Sequence, residues 1–138
     1  MMTGMDEYKR VQVGTADRVR IISLLFDGAI NFLRMGREAM ESGDIGTKGL
    51  CLGKATSIVG ELSSALNMEA GGDISKNLKR LYDFVIDRIF HANMRNDKEA
   101  LDMAVKVLDT IRSGWREMEE RQAVSYQGVQ AEGMEVKV

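Results

Sequence analysis

The chain has 138 residues, a length that suits one domain with its own hydrophobic core. Its net charge is −2, from 19 Lys and Arg against 21 Asp and Glu, so no basic excess points to nucleic acid or to an anionic membrane. One Cys and one His exclude an internal disulfide and any metal site that needs several of either residue. No apolar run reaches the roughly 18 residues of a membrane span, and the N-terminus is too charged for a signal peptide. We therefore expect a cytoplasmic protein without membrane insertion.

The spacing of apolar residues predicts four amphipathic helices, over about 16–41, 45–67, 74–94 and 97–119. The sequence contains no Pro, so long uninterrupted helices are permitted. The predicted core stripe of the first helix is Val19, Ile22, Phe26, Ala29, Leu33, Gly36 and Met40. The stripes of the other three are Cys51, Ala55, Ile58, Leu62 and Ala65; Ile74, Leu78, Leu81, Val85, Ile89 and Ala92; and Leu101, Ala104, Leu108, Ile111, Trp115 and Met118.

Short polar segments between these stretches carry the signals that end one helix and begin the next. Gly43 is placed to end the first helix in a left-handed conformation, and Asp44 to cap the second. Asp73 can cap the third helix after a Gly-Gly break. Asn96, followed three residues later by Glu99, has the spacing of a capping box for the fourth.

Four such helices joined by short links predict an all-α fold, an antiparallel four-helix bundle over residues 15–119. The ends of the chain lack a sustained apolar period. We expect residues 1–14 to form a mobile N-terminal segment and residues 120–138 a flexible C-terminal tail.

The sequence offers little that could carry catalysis, so we expect no enzyme, no catalytic residue, no metal and no cofactor. Cys51 lies among apolar positions, which favours a buried inert thiol over a nucleophile. Asp87 and His91 are spaced to share one helix face and could together touch a divalent ion, but two ligands do not make a site, and a surface pair is the favoured interpretation.

Apolar residues on two helices exceed what a bundle core requires. A second stripe on the first helix lies beside the core stripe, and the third helix has a similar set. These residues are Ile21, Leu24, Leu25, Phe32 and Met35 on the first helix, and Tyr82, Ile86 and Phe90 on the third. Contact with two neighbouring helices could bury both stripes; the alternative is a set of grooves that receive an external helix.

The second helix carries a stripe of small residues, Gly46, Gly49, Gly53, Thr56, Gly60 and Ser63, opposite its apolar stripe. Each interior Gly costs a helix about 1 kcal/mol relative to Ala. Close approach of another helix would offset that cost. Neutral drift on a stable bundle is the competing interpretation.

Several segments, in this order, resemble the FliS family, the flagellin-specific export chaperones of the bacterial flagellar secretion system. They are Tyr8 to Thr15 (YKRVQVGT), Leu24 to Ile30 (LLFDGAI), Gly43-Asp44, Gly71 to Asp83 (GGDISKNLKRLYD), Ala92 to Asp97 (ANMRND) and Trp115. Two features depart from the family pattern. Ala16-Asp17-Arg18 stands where members often have a Pro, and the second helix is unusually rich in Gly.

The resemblance implies a non-catalytic cytosolic chaperone that binds the disordered C-terminal segment of flagellin, prevents its premature polymerisation and keeps it competent for type III export. With the surplus stripes, it implies a client surface of Ile21, Leu24, Leu25, Gly28, Phe32, Gly49, Gly53, Gly60, Tyr82, Ile86 and Phe90. A helical-bundle homodimer or adaptor that buries the spare apolar surface by self-association is the alternative.

The N-terminal segment carries its own expectation. Met5, Tyr8, Val11 and Val13 alternate with charged residues, and we expect them to cover an apolar groove in the free protein. The resemblance implies that this lid shifts when the client docks and that it then helps the loaded complex engage an export-gate component. An untethered tail is the competing interpretation.

Overall fold

The computed structural model describes the backbone of residues 15–132 and the side chains of residues 17–121. This part of the chain contains four helices and no strand: α1 Thr15–Ser42, α2 Ile45–Ser64, α3 Gly72–Arg95 and α4 Lys98–Glu132. The predicted lid and its residues Met5, Tyr8, Val11 and Val13 lie outside the described residues. No described helix combines the length and the apolar character that crossing a membrane requires.

The four helices form an antiparallel bundle in which each helix packs against two neighbours, in the cyclic order α1, α2, α3, α4. The ion pairs along the seam between α1 and α4 show that these two helices run in opposite directions. Arg37, near the end of α1, pairs with Asp102 near the start of α4, whereas Asp27 pairs with Arg112 further along α4. The predicted all-α four-helix bundle is confirmed.

The core is filled by one cluster of apolar side chains from all four helices. Its largest fully buried members are Tyr82, Phe26, Ile30, Leu33, Leu52, Leu62, Ile89, Leu101 and Leu108. α1 and α2 approach closely at Gly36, where an added β-carbon would lie 2.6 Å from Leu52 Cδ2. With Gly at this position, the side chain of Leu52 packs directly against the backbone of α1.

The α1–α2 turn has the predicted chemistry. Gly43 adopts a left-handed conformation with φ +74°, which Gly reaches without steric cost. The carboxylate of Asp44 accepts a hydrogen bond of 3.1 Å from the backbone N–H of Thr47. This hydrogen bond satisfies a free donor of the first turn of α2 and lowers the pKa of Asp44.

The predicted caps of α3 and α4 are wrong. Gly71, which forms no side-chain cap, precedes α3, and Asp73 lies within the first turn. Asn96 instead ends α3 with φ 51°, a left-handed conformation that Asn tolerates better than most residues. Asp97 caps α4, because its carboxylate accepts a hydrogen bond of 3.2 Å from the N–H of Ala100.

The predicted core stripe of α3 is wrong in the first half of the helix. Ile74 and Leu81 are 72% and 39% exposed, whereas Tyr82 is 1% exposed and Ser75 is buried as well. The hydroxyl of Ser75 donates a hydrogen bond of 2.9 Å to the carbonyl of Asn67. The side chain of Trp115 lies near the Tyr82 hydroxyl and partly opposes the rise in its pKa that burial causes.

Two helix ends also differ from the sequence prediction. α2 ends at Ser64, and Leu66 donates to the carbonyl of Ser63 three residues back, which replaces the α-helical pattern. α4 continues to Glu132, well past the predicted end near 119. The division of the chain into an N-terminal segment, a bundle and a flexible tail stays a prediction.

Replacing Gly36 by Leu should test the close approach of α1 and α2. We expect Gly36→Leu to lower the free energy of unfolding by about 1–3 kcal/mol, the usual cost of overpacking a dense core. Gly114→Leu is the matched control, because Gly114 is also helical but has open space around its α-carbon. It should raise the free energy of unfolding by up to about 1 kcal/mol. Urea denaturation followed by circular dichroism measures both, and equal values for the two variants would contradict the close approach.

Candidate functional site

An open groove of about 580 Å³ runs along the outer seam between α1 and α2. Its lining residues are Phe32 of α1 and Gly49, Leu50, Gly53, Lys54, Ser57 and Ile58 of α2. Most of this lining is apolar or lacks a side chain. Three residues predicted on separate grounds, Phe32, Gly49 and Gly53, therefore lie together in one place.

The glycines of α2 are not required by the packing of the bundle. A β-carbon added at Gly49, Gly53 or Gly60 would have no heavy atom within 4 Å. Gly28 of α1 differs, because its β-carbon would lie 3.5 Å from Cδ1 of Ile58, which places Gly28 on the side of α1 that faces α2. These three glycines therefore leave the surface of α2 open, inside the groove at Gly49 and Gly53 and outside it at Gly60.

The second apolar stripe of α1 divides into two sets. Ile21 and Leu24 are 48% and 57% exposed, whereas Leu25 and Phe32 are partly buried and pack against the core cluster. Neighbouring helices cover some residues of this stripe, and others remain accessible.

The predicted residues of α3 also separate. Phe90 is 64% exposed, and Ile86 is partly buried against the core. Tyr82 is a core residue, so its predicted place beside the core is wrong. Its ring lies 6.3 Å from that of Phe26 across the bundle, and burial raises its pKa to about 12.

The seam between α1 and α4 has the opposite character. Asp27 accepts hydrogen bonds of 3.0 Å from both Arg112 and Arg116, and Arg20 lies 3.8 Å from Glu119. Leu24 lines a depression on this side whose other lining residues are Arg20, Ser23, Asp27, Arg116, Glu119 and Glu120. This side of α1 is covered by charged groups rather than by apolar ones.

The side chains that could have supported catalysis have other roles. Cys51 is a free, buried thiol. His91 lies 3.2 Å from the cap residue Asp97, whereas Asp87 pairs with Arg88 at 2.9 Å. Among the described side chains, no group of three His, Cys, Asp or Glu is placed to hold a metal ion.

Sequence reasoning missed three residues of the groove, Leu50, Lys54 and Ser57. Leu50 is 59% exposed and directly follows Gly49, so it stands at the edge of the glycine surface. The spacing of four residues between Leu50 and Lys54 places both on one side of α2. That spacing is the sequence signal from which the two residues could have been predicted to lie together.

The comparisons with known proteins identify the family. The family model described as Flagellar protein FliS matches residues 1–122. The chain belongs to the FliS family. The identification from the sequence motifs is thereby confirmed.

Several curated relatives cover most of this chain. The Flagellar secretion chaperone FliS of Vibrio cholerae is 42% identical over 119 residues, which are 83% of this chain and 88% of the relative. The Flagellar secretion chaperone FliSB of Pseudomonas aeruginosa is 41% identical over 118 residues, 83% of this chain and 94% of the relative. The Salmonella typhimurium Flagellar secretion chaperone FliS is 36% identical over 121 residues, 84% of this chain and 90% of the relative.

The buried Tyr82 makes a testable contribution to the pH dependence of stability. Its pKa is about 12 in the folded protein, above the ordinary value of 10.0, so the fold favours the neutral phenol. The unfolded chain loses this proton first, and the stabilisation is complete below about pH 10 and lost as the pH rises towards 12. The free energy of unfolding should therefore fall by up to about 1.4 kcal/mol per pH unit from this group.

Tyr82→Phe is the comparison that isolates this effect, because the remaining titratable groups are common to both proteins. Between pH 9 and pH 11, the free energy of unfolding of the wild type, measured in urea, should fall relative to that of Tyr82→Phe. A constant difference over that range would contradict a buried phenol.

Proposed function

We propose that this FliS family member is a flagellar secretion chaperone that binds the C-terminal segment of flagellin in the cytoplasm, prevents its premature polymerisation and keeps it competent for export. The observation that carries this proposal is the apolar groove between α1 and α2, which the bundle leaves open although its core is complete. The names of the relatives support the secretion role.

The groove suits an amphipathic helix. Such helices bind by laying their apolar face into an apolar groove on a partner. Phe32, Leu50 and Ile58 supply apolar contacts, and the bare α-carbons of Gly49 and Gly53 let a second helix approach the backbone of α2 closely. A client segment that is disordered when free would become ordered as it buries its apolar face here.

The proposed client surface extends beyond the groove. Along the outer side of α1 and α2 it includes Ile21, Leu25, Gly28 and Gly60, and a second contact on α3 includes Ile86 and Phe90. Leu24, which lines the charged depression on the α4 side of α1, is also part of the proposed client surface. Tyr82 is no longer included, because a side chain that is 1% exposed has no area to offer a client.

The N-terminal segment completes the proposal. Met5, Tyr8, Val11 and Val13 would cover the groove in the free protein, leave it when flagellin docks, and then help the loaded complex bind a component of the export gate. The support is the pattern of apolar residues in the sequence and the resemblance to the family.

Co-purification tests the proposed function directly. Full-length flagellin should be retained by this protein, and flagellin truncated before its C-terminal segment should not. Light scattering, with and without a peptide of that segment, adds the oligomeric state. Equal retention of both flagellins, or a homodimer that the peptide leaves unchanged, would contradict the proposal.

Gly53→Gln tests the groove. The side chain would stand in the groove, so we expect at least about tenfold weaker flagellin binding, equivalent to about 1.4 kcal/mol. Stability should be kept or should rise, because Gln favours a helix over Gly and a β-carbon at Gly53 meets nothing within 4 Å. Gly114→Gln is the matched control: it makes the same change at an open helical position of α4 and should leave affinity unchanged. Equal affinity of the two variants would show that the client does not use the groove.

Deletion of residues 1–13 tests the lid. A lid competes with the client, so the deletion should speed the association of flagellin while lowering the stability of the free protein. Export measured in cells should fall if the same segment engages the gate. Unchanged association and normal export would mean that the segment has neither role.

A further inference from the structure

Lys54 is the one charged side chain among the described residues that line the α1–α2 groove. Its Nζ lies 5.3 Å from the centre of the Phe32 ring, on the opposite wall. None of the ion pairs among the described side chains includes Lys54. On the α1–α4 side of the bundle, by contrast, Arg20, Arg37, Arg112 and Arg116 each pair with a carboxylate of the other helix. The charge of the ammonium group is therefore stabilised by the aromatic ring and by solvent.

This arrangement suits the free protein and becomes costly when an apolar helix covers the groove. A cation over an exposed ring is held weakly, and water supplies the rest of its stabilisation. A docked helix would exclude that water, and an ammonium group buried without a counter-charge is strongly disfavoured. A client that brings a carboxylate removes this penalty.

We propose that Lys54 is a specificity-determining residue that selects client helices carrying an acidic side chain on the face turned towards the α1–α2 groove. This inference rests on the proposed function. The occupant is an amphipathic helix whose large apolar side chains meet Gly49, Gly53 and Leu50 and whose Asp or Glu reaches Lys54.

Binding then exchanges one weak contact for two stronger ones. The ammonium group leaves the face of the Phe32 ring and pairs with the client carboxylate under the cover of the docked helix, where water screens the pair less than at an open surface. The vacated ring becomes available for apolar contact with the client. Phe32 thus contributes fully only to clients that also engage Lys54.

The test measures the affinity of a flagellin C-terminal fragment for the wild type and four variants at low and high salt. Lys54→Met keeps the apolar stem and removes the charge, Lys54→Glu reverses the charge, and Lys54→Arg keeps it. Lys106→Met is the matched control, since Lys106 is an exposed helical lysine of α4 outside the groove. Circular dichroism confirms that each variant is folded.

We expect about three- to tenfold weaker binding for Lys54→Met, the effect of losing one partly covered ion pair, together with a smaller salt dependence. Lys54→Glu should bind more weakly still, whereas Lys54→Arg and Lys106→Met should bind like the wild type. Changing the acidic residues of the fragment to Lys one at a time should yield one variant that binds Lys54→Glu better than it binds the wild type.

Binding of Lys54→Met that equals or exceeds that of the wild type, at both salt concentrations, would overturn the role of Lys54. The absence of any charge-reversed fragment that restores binding to Lys54→Glu would overturn it as well. Neither result affects the proposed function, which the retention of full-length and truncated flagellin by the wild-type protein tests separately.

Discussion

The close packing of α1 against α2 at Gly36 is the constraint on which both the core and the groove depend. With no side chain at Gly36, Leu52 can pack directly against the backbone of α1 and remain fully buried. Phe32 of α1 and Ile58 of α2 lie on the outer side of the same seam, where each is only partly buried and lines the groove. The pair of helices that packs closely at Gly36 thus also carries apolar surface outside the core.

Helical periodicity predicts the rotation of α1 and α4 well, and that of α3 only in part. Two stripes on α3 share Val85, Ile89 and Ala92 and separate towards the start of the helix, where one passes through Leu81 and the other through Tyr82. Hydropathy favours Leu81, which is 39% exposed. The structure buries Tyr82 inside the bundle, where its ring lies 6.3 Å from that of Phe26 and Trp115 lies near its hydroxyl. Both neighbours are far away in sequence, so no local pattern contains them.

The candidate site shows a similar division between what the sequence predicts and what only the fold provides. Phe32, Gly49 and Gly53 stand out in the sequence because the core of the bundle does not need them. That they line one groove depends on the rotation and separation of α1 and α2, which the packing at Gly36 sets. The four-residue spacing places Lys54 on the same side of α2 as Leu50, but an exposed lysine on a helix is too ordinary to indicate a binding role. It becomes distinctive only when the fold places its ammonium group 5.3 Å from the ring of Phe32.

The two sides of α1 explain why a client helix would follow one seam and not the other. On the α4 side, Asp27 is held by Arg112 and Arg116, and ion pairs of this exposed kind each add only about 0.2–1 kcal/mol to stability. Their larger effect is on binding. An apolar helix laid over them would strip water from several charges without offering partners, a cost that burial of its apolar face would have to exceed. On the α2 side, Lys54 is the only charge to desolvate among the described residues of the groove lining, and one carboxylate on the client would compensate it. The distribution of charge around α1, rather than the amount of apolar surface alone, would therefore direct a client helix to the α1–α2 groove.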